Sequence, residues 1–173
     1  MSYILLVGIH GVGKTTLLNK LKESIDLTAL SISDLIRQAG NDIKRDEKYT
    51  KNIQNNQFLW KEKLKEYSFL KDELVVLDGH FTLLDKNGDI VELPFETFDG
   101  IDIRKVVLKR ELPSVIKDRL ENRDRTLWNI DLIDNFQETE TKRAQQFSVE
   151  KNIPLLEIND GVRIEEVLGF LKP

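Results

Sequence analysis

The stretch that most constrains this chain is Gly8-Ile9-His10-Gly11-Val12-Gly13-Lys14-Thr15-Thr16. It has the form G-x-x-x-x-G-K-[ST], a loop that cradles the phosphates of nucleoside triphosphates. Its flanks suit the motif. Tyr3 to Val7 is a short apolar run that reads as a buried strand, and Leu17 to Lys22 reads as an amphipathic helix with Leu17, Leu18 and Leu21 on one face. Glycines at 8, 11 and 13 let the backbone curl so that several N–H groups point at one centre. The helix that follows adds unsatisfied N–H groups and the positive end of its dipole. Lys14 is then expected to offer a mobile cation to the outer phosphates, and Thr15 a hydroxyl to Mg²⁺.

Composition narrows the remaining choices. A chain of 173 residues is enough for one domain with a substantial core. It has no cysteine, which excludes a disulfide framework, a thiolate metal site and a cysteine nucleophile. No apolar run approaches the ~18 residues of a membrane span. A strand begins almost at residue 1, leaving no room for a signal peptide, so a cytoplasmic location is expected. The net charge of −4 makes the chain a poor non-specific binder of nucleic acid, and no nucleic-acid or protein partner is indicated.

Along the chain, Leu27 to Leu30 reads as a second strand, and Ser33 as the N-cap of a helix that Gly40 stops. Asn41 to Lys48 reads as a loop, and Tyr49 to Tyr67 as a helix with Ile53, Phe58, Leu59, Trp60, Leu64 and Tyr67 toward the core. Leu74 to Leu77 is a continuous apolar run that ends in Asp78, as in a parallel strand buried on both faces. Asn87-Gly88 between two apolar pairs predicts a hairpin. Val106 to Leu108 is the next strand, Leu112 to Asn122 a helix opened by Pro113, and Arg123 to Asn129 a polar interruption. Ile130 to Asn152 reads as helix, Ile153 to Ile158 as the last strand, and Val162 to Leu171 as the final helix. Strands and helices alternate, which is the α/β class with a mainly parallel sheet, in one domain over residues 1–173.

Asp78 at a strand's carboxyl end is the expected acid of the Mg²⁺ shell, and His80 follows two residues on. Arg119 and Arg123 share a helix face, with Arg125 beyond them, Arg143 on the next helix and Arg37 after the second strand. Phosphoryl transfer needs cations around the moving group, and arginine grips phosphate oxygens in a bidentate fork. No N-K-x-D segment reads guanine, which argues against a GTPase. The chain is also short for the usual AAA+ module with its helical lid domain. A small-molecule or nucleotide kinase fits the length.

These residues resemble the adenylate kinases, and most closely their short-lid archaeal and nuclear types, along nearly the whole chain. Gly8 to Thr16 is similar to their glycine loop, including His10, Val12 and Thr16. Ser31 to Arg37 resembles the opening of the monophosphate-binding helix, where the resemblance gives Arg37 the acceptor phosphate, with Ser33 and Asp34 beside it. Val76-Leu77-Asp78-Gly79-His80 looks like the D-x-H strand end of those types. Arg119 and Arg123 match the arginines flanking the lid, and Arg143 the arginine that reaches the transferring phosphate. Asn159-Asp160-Gly161 resembles the loop that touches the donor adenine. There are departures. Thr82 stands where typical members carry an arginine, Ile32 replaces the threonine of the monophosphate helix, and the lid is too short for a zinc-binding flap. The resemblance implies a three-layer sandwich around five parallel strands in the order 2-3-1-4-5, with helices on both faces. To these it adds a hairpin insertion, monophosphate-binding helices over about 33–70 and a lid over about 119–129.

The leading expectation is ATP- and Mg²⁺-dependent phosphorylation of a nucleoside monophosphate, AMP first. Lys14, Arg119, Arg123 and Arg143 would surround the moving group, while His80 and Thr82 would line the acceptor side. One alternative is a kinase of a nucleoside or other small hydroxyl substrate, with Asp34 or Asp78 as general base. Another is a nucleotide-dependent switch or assembly ATPase, in which His80 places water and the lysine-rich stretch from Lys48 to Lys71 meets a protein or RNA partner.

Overall fold

Five apolar runs become five parallel strands, and their alternating side chains build two cores. The computed structural model describes residues 1–39 and 53–172, without the side chains of residues 53–58. The strands are β1 (Tyr3–Val7), β2 (Leu27–Ser31), β3 (Leu74–Asp78), β6 (Ile103–Lys109) and β7 (Leu155–Ile158). They lie side by side as β2-β3-β1-β6-β7, the 2-3-1-4-5 order of the parallel strands. A two-stranded hairpin, β4 (Thr82–Leu84) with β5 (Ile90–Glu92), stands apart from this sheet, with Asn87-Gly88 in its turn.

The helices are α1 (Lys14–Lys22), α2 (Ile32–Gln38), α3 (Ile53–Lys65), α4 (Pro113–Asp124), α5 (Ile130–Lys151) and α6 (Ile164–Leu171). Successive strand residues point to opposite faces. Leu5, Val7 and Leu77 meet Leu35 of α2, Trp60 and Leu64 of α3, and Ala144 and Phe147 of α5. Ile4, Leu6, Val76 and Val107 meet Leu18 and Leu21 of α1 and Val167 and Leu171 of α6. Three layers result, with both sheet faces covered. This is why the strands read as continuous apolar runs rather than as an alternation.

Several boundaries differ from expectation for local reasons. β2 stays paired to β3 as far as Ser31, opposite Asp78. The helix therefore starts at once, and Ser31 rather than Ser33 is its N-cap, with its hydroxyl accepting from the Asp34 N–H at 3.4 Å. Helix α1 begins at Lys14, three residues before its apolar face is visible in sequence. Helix α4 continues through Arg123 to Asp124 and ends on Arg125 in the left-handed region. The irregular part of the expected 119–129 lid is therefore only residues 125–129. The Trp128 N–H is fastened back to Glu121 of α4 at 2.9 Å, and Asn129 caps α5. The expected stop at Gly40, the loop 41–48 and the first residues of the helix from Tyr49 lie outside the described residues.

The first core closes on aromatic rings. Phe147 of α5 lies 5.0 Å from Phe81, 5.2 Å from Phe95 and 5.6 Å from Phe98, centroid to centroid. Phe147→Ala is expected to cost ~3–5 kcal/mol through the cavity it leaves. The measurement is urea unfolding, with a lower midpoint and an unchanged slope.

Candidate active site

Three strand ends open into one cleft. Asp78 is in register with Ser31 of β2 on one side and Leu6 of β1 on the other. The chain leaves all three strands at the same edge, where open α/β sheets take their ligands. The cleft is about 300 Å³. Its wall is the glycine loop with His10, Lys14 and Thr15, and its floor holds Ser31, Ser33, Asp78 and His80. Arg119 and Arg123 reach it from α4.

The loop needs its glycines. Gly8 has φ +142°, and a Cβ there would sit 2.5 Å from the Lys109 carbonyl oxygen of β6. Gly13 has φ +93°, with the Arg119 guanidinium directly over it. Behind the loop, Ile9 and Val12 pack on Ile116 and Leu120 of α4 and on Ile133 and Phe136 of α5. Val12 thus serves the core with its side chain, while Thr16 on α1 is exposed.

Lys14 is only 9% exposed. Its Nζ donates to the Gly8 carbonyl at 2.5 Å and to the Gly79 carbonyl at 3.1 Å, and pairs with Asp78 Oδ1 at 3.3 Å. The ammonium is thus held where phosphate oxygens can replace these partners. Arg119 donates to the Gly11 carbonyl at 3.1 Å and pairs at 3.2 Å with Glu111, which is buried. Arg123 forks onto Asp124 at 2.6 and 2.8 Å.

Several expected site residues lie outside the cleft lining. Arg143, one turn past Glu140 on α5, turns to the foot of the hairpin. Its guanidinium donates to the Leu93 carbonyl at 2.7 Å and lies 3.8 Å from the Phe95 ring centre, away from the cleft lining. Thr82 is buried and gives its hydroxyl to Glu140, so it faces the interior and not an acceptor. Arg37 and Asp34 pair with each other one turn apart on exposed positions of α2, outside the lining. Asp160 sits 3.5 Å from Lys109, and Asn159 Oδ1 accepts from the Gly161 N–H. That turn adjoins the network Lys109–Glu111–Arg119 beside the loop.

Sequence reading missed a set of polar residues on α5. Glu140 is fully buried and accepts from the Gly8 N–H at 3.2 Å, from the Phe81 N–H at 3.0 Å and from the Thr82 hydroxyl at 2.5 Å. Gln137 bonds both the N–H and the carbonyl of Glu111, each at 2.9 Å. Arg110 pairs with Glu138. One signal was available. Ile133, Phe136, Gln137, Glu140, Ala144 and Phe147 share one helical stripe, so the two polar members had to lie among the apolar ones. Burial raises the Glu140 carboxyl above the ordinary carboxylate range, although its hydrogen bonds and Lys14 pull the other way.

His10 and His80 meet edge to face at 5.1 Å beside Lys14. Burial first, then the charges of His10 and Lys14, push the His80 imidazolium well below its ordinary value, so His80 is neutral. The donor chemistry suits Mg²⁺. The Thr15 hydroxyl and the Asp78 carboxylate supply hard oxygens, and both residues line the cleft with Lys14. Phosphate and water usually complete such a shell.

A family model described as "AAA domain" matches residues 7–134, from the end of β1 into α5. The expectation that weighed against AAA+ modules rested on length and did not anticipate this match. No curated protein matches the sequence significantly. Among solved structures, the chain is similar to a gluconokinase from Sinorhizobium meliloti 1021, with a TM-score of 0.51 at 16% identity over 98% of this chain and 89% of that one. That likeness concerns the fold alone.

The neutral His80 has a consequence for stability. The unfolded chain takes a proton at this residue near pH 6.5, and the folded chain does not. Its contribution is therefore complete above that pH and is lost as pH falls through it, by at most about 1.4 kcal/mol per unit. Glu140, whose carboxyl is raised, acts in the opposite sense and gains stability on acidification. His80→Gln is expected to flatten the loss between pH 7 and 5 relative to wild type, read from urea midpoints against pH. The Glu140 contribution cancels in that comparison.

Proposed function

This chain belongs to the AAA-domain family, and from that membership and its cleft we propose that it transfers the terminal phosphoryl group of ATP to a small acceptor. The observation that carries the reading is one cleft lined by the glycine loop, Lys14, Thr15, Asp78, Arg119 and Arg123. The loop amides and Lys14 would hold the phosphates, and Thr15 and Asp78 would hold Mg²⁺. That ion would draw charge off the bridging oxygens. Arg119 already lies across Gly11 and Gly13, so it needs little movement to reach a transferring group. Arg123 would exchange its Asp124 partner for phosphate oxygens.

The acceptor we favour is a nucleoside monophosphate, with AMP first. Its phosphate is already an anion, so no general base is required. Helix α2 opens at the cleft through Ser33, and Arg37 lies one turn further on, exposed and paired with Asp34. A specific observation keeps a second acceptor class in view. The hydroxyls of Ser31 and Ser33 line the cleft, while Arg37 does not. This favours an uncharged hydroxyl substrate, with Asp78 as the base nearest the transferring group.

³¹P NMR of the protein with ATP, Mg²⁺ and a panel of monophosphates and nucleosides separates the readings. ADP formed with consumption of a monophosphate supports the first, and a new phosphate monoester from a nucleoside or polyol supports the second. Free phosphate alone would overturn both in favour of a nucleotide-driven switch. With a monophosphate acceptor, Arg37→Ala is expected to raise its KM about ten-fold or more and to leave the KM for ATP near wild type. Charge-assisted hydrogen bonds contribute ~1.5–3 kcal/mol each. Asp78→Asn is expected to raise the Mg²⁺ concentration for half-maximal rate. An unchanged Mg²⁺ dependence would leave Asp78 as the partner of Lys14 alone.

A further inference from the structure

The reading above rests on Lys14 being in the right place, and Lys14 is held by backbone. Its two closest partners are carbonyl oxygens, Gly8 at 2.5 Å and Gly79 at 3.1 Å. Neither carbonyl belongs to a sheet ladder on its ligand side. Each sits in a turn whose orientation is set by what bonds the neighbouring N–H groups.

The Gly79 N–H is bonded to the Leu6 carbonyl at 3.0 Å, and the N–H groups of Gly8 and Phe81 converge on one residue. Glu140 Oε1 accepts from the N–H of Gly8 at 3.2 Å, and both carboxyl oxygens accept from the N–H of Phe81 at 3.0 Å. Thr82 fixes Oε2 through its hydroxyl at 2.5 Å. The carboxyl thus grips the first glycine of the loop and the turn after β3 from behind, while Lys14 grips the same two segments from the cleft side. We propose that Glu140 is a positioning residue for Lys14, setting through the Gly8 and 79–81 backbone the place from which the ammonium meets the outer phosphates.

Reach and charge can be separated here. A glutamine keeps the reach. Its carbonyl oxygen can accept from Gly8 and Phe81, and its amide can donate to the Thr82 oxygen. An aspartate keeps the charge and withdraws the carboxyl by one methylene, out of reach of both amides. Positioning by hydrogen bonds therefore expects Glu140→Gln to behave as wild type and Glu140→Asp to fail.

The test is isothermal titration of the full chain with Mg²⁺ and a non-hydrolysable ATP analogue, and separately with Mg²⁺ and ADP. Glu140→Gln is expected to bind the analogue like wild type, with a change well under about two-fold. Glu140→Asp is expected to lose ten-fold or more for the analogue and clearly less for ADP, because Lys14 serves the outer phosphates. The assignment is overturned if Glu140→Asp binds like wild type, if Glu140→Gln falls as far as Glu140→Asp, or if both nucleotides weaken equally, which is what general loosening would do. Should Glu140→Asp fail to fold by near-ultraviolet circular dichroism, Thr82→Val removes one of the two hydrogen bonds to Oε2 and leaves that of the Phe81 N–H. It is expected to weaken the analogue about three-fold with ADP unchanged, and wild-type binding would overturn the assignment. A wild-type protein that binds neither nucleotide would end the nucleotide reading itself, whereas the other failures end only the role of Glu140.

Discussion

A buried ammonium must find oxygen on every side, and in this protein Lys14 dictates how the surrounding chain is built. Removing a charge from water costs several kcal/mol unless it is paired and hydrogen-bonded. Lys14 meets that requirement with two carbonyls and one carboxylate. Each partner comes from a different place: the start of the loop, the turn after β3 and the carboxyl end of β3 itself. The order of strands in the sheet brings them together, because β3 and β1 are neighbours and end in register at Asp78 and Leu6. The central position of β1 is therefore tied to the chemistry as well as to packing.

Helix α5 carries the opposite half of this arrangement. Its inward stripe is apolar at both ends, Ile133 and Phe136 at one and Ala144 and Phe147 at the other, with Gln137, Glu140 and Thr141 between them. A polar middle in a buried stripe lowers packing energy unless every group is satisfied. Here Gln137 serves Glu111, Glu140 serves the loop and the β3 turn, and Thr141 donates to the Gln137 carbonyl. Through Glu111 the same helix also supports Arg119 over the glycine loop. One helix thus ties together the ends of β1, β3 and β6.

What could be read from sequence was what local chemistry determines. Glycines with positive φ, a lysine and a threonine at fixed spacing define the loop without help from the rest of the chain. Asp78 was legible because it ends an unbroken apolar run. Glu140 was not, since its partner Gly8 lies 132 residues away and a glutamate in a helix ordinarily reads as solvated. Arg143 stands away from the cleft for a related reason. Its position matched a motif, but the Phe95 ring and the Leu93 carbonyl, which hold it at the hairpin, come from another part of the chain. The choice between Ser31 and Ser33 as cap turned on how far β2 stays paired, which only the sheet decides.

The hairpin between β3 and β6 has two unlike ends. Its foot is fastened to the site, with Phe81 bonded to Glu140, Leu93 bonded to Phe81 and Arg143 clamped on the Leu93 carbonyl. Its tip is self-contained. Asp85 Oδ1 accepts from the N–H groups of Asn87 and Asp89, and a side chain at Gly88 would meet nothing within 4 Å. Extra residues at the foot would shift Phe81 and, with it, Glu140. Extra residues at the tip would loop into solvent, where exposed turns absorb insertions most readily. The chain can therefore grow at residues 86–88, by evolution or by an added peptide tag, without a change in the cleft.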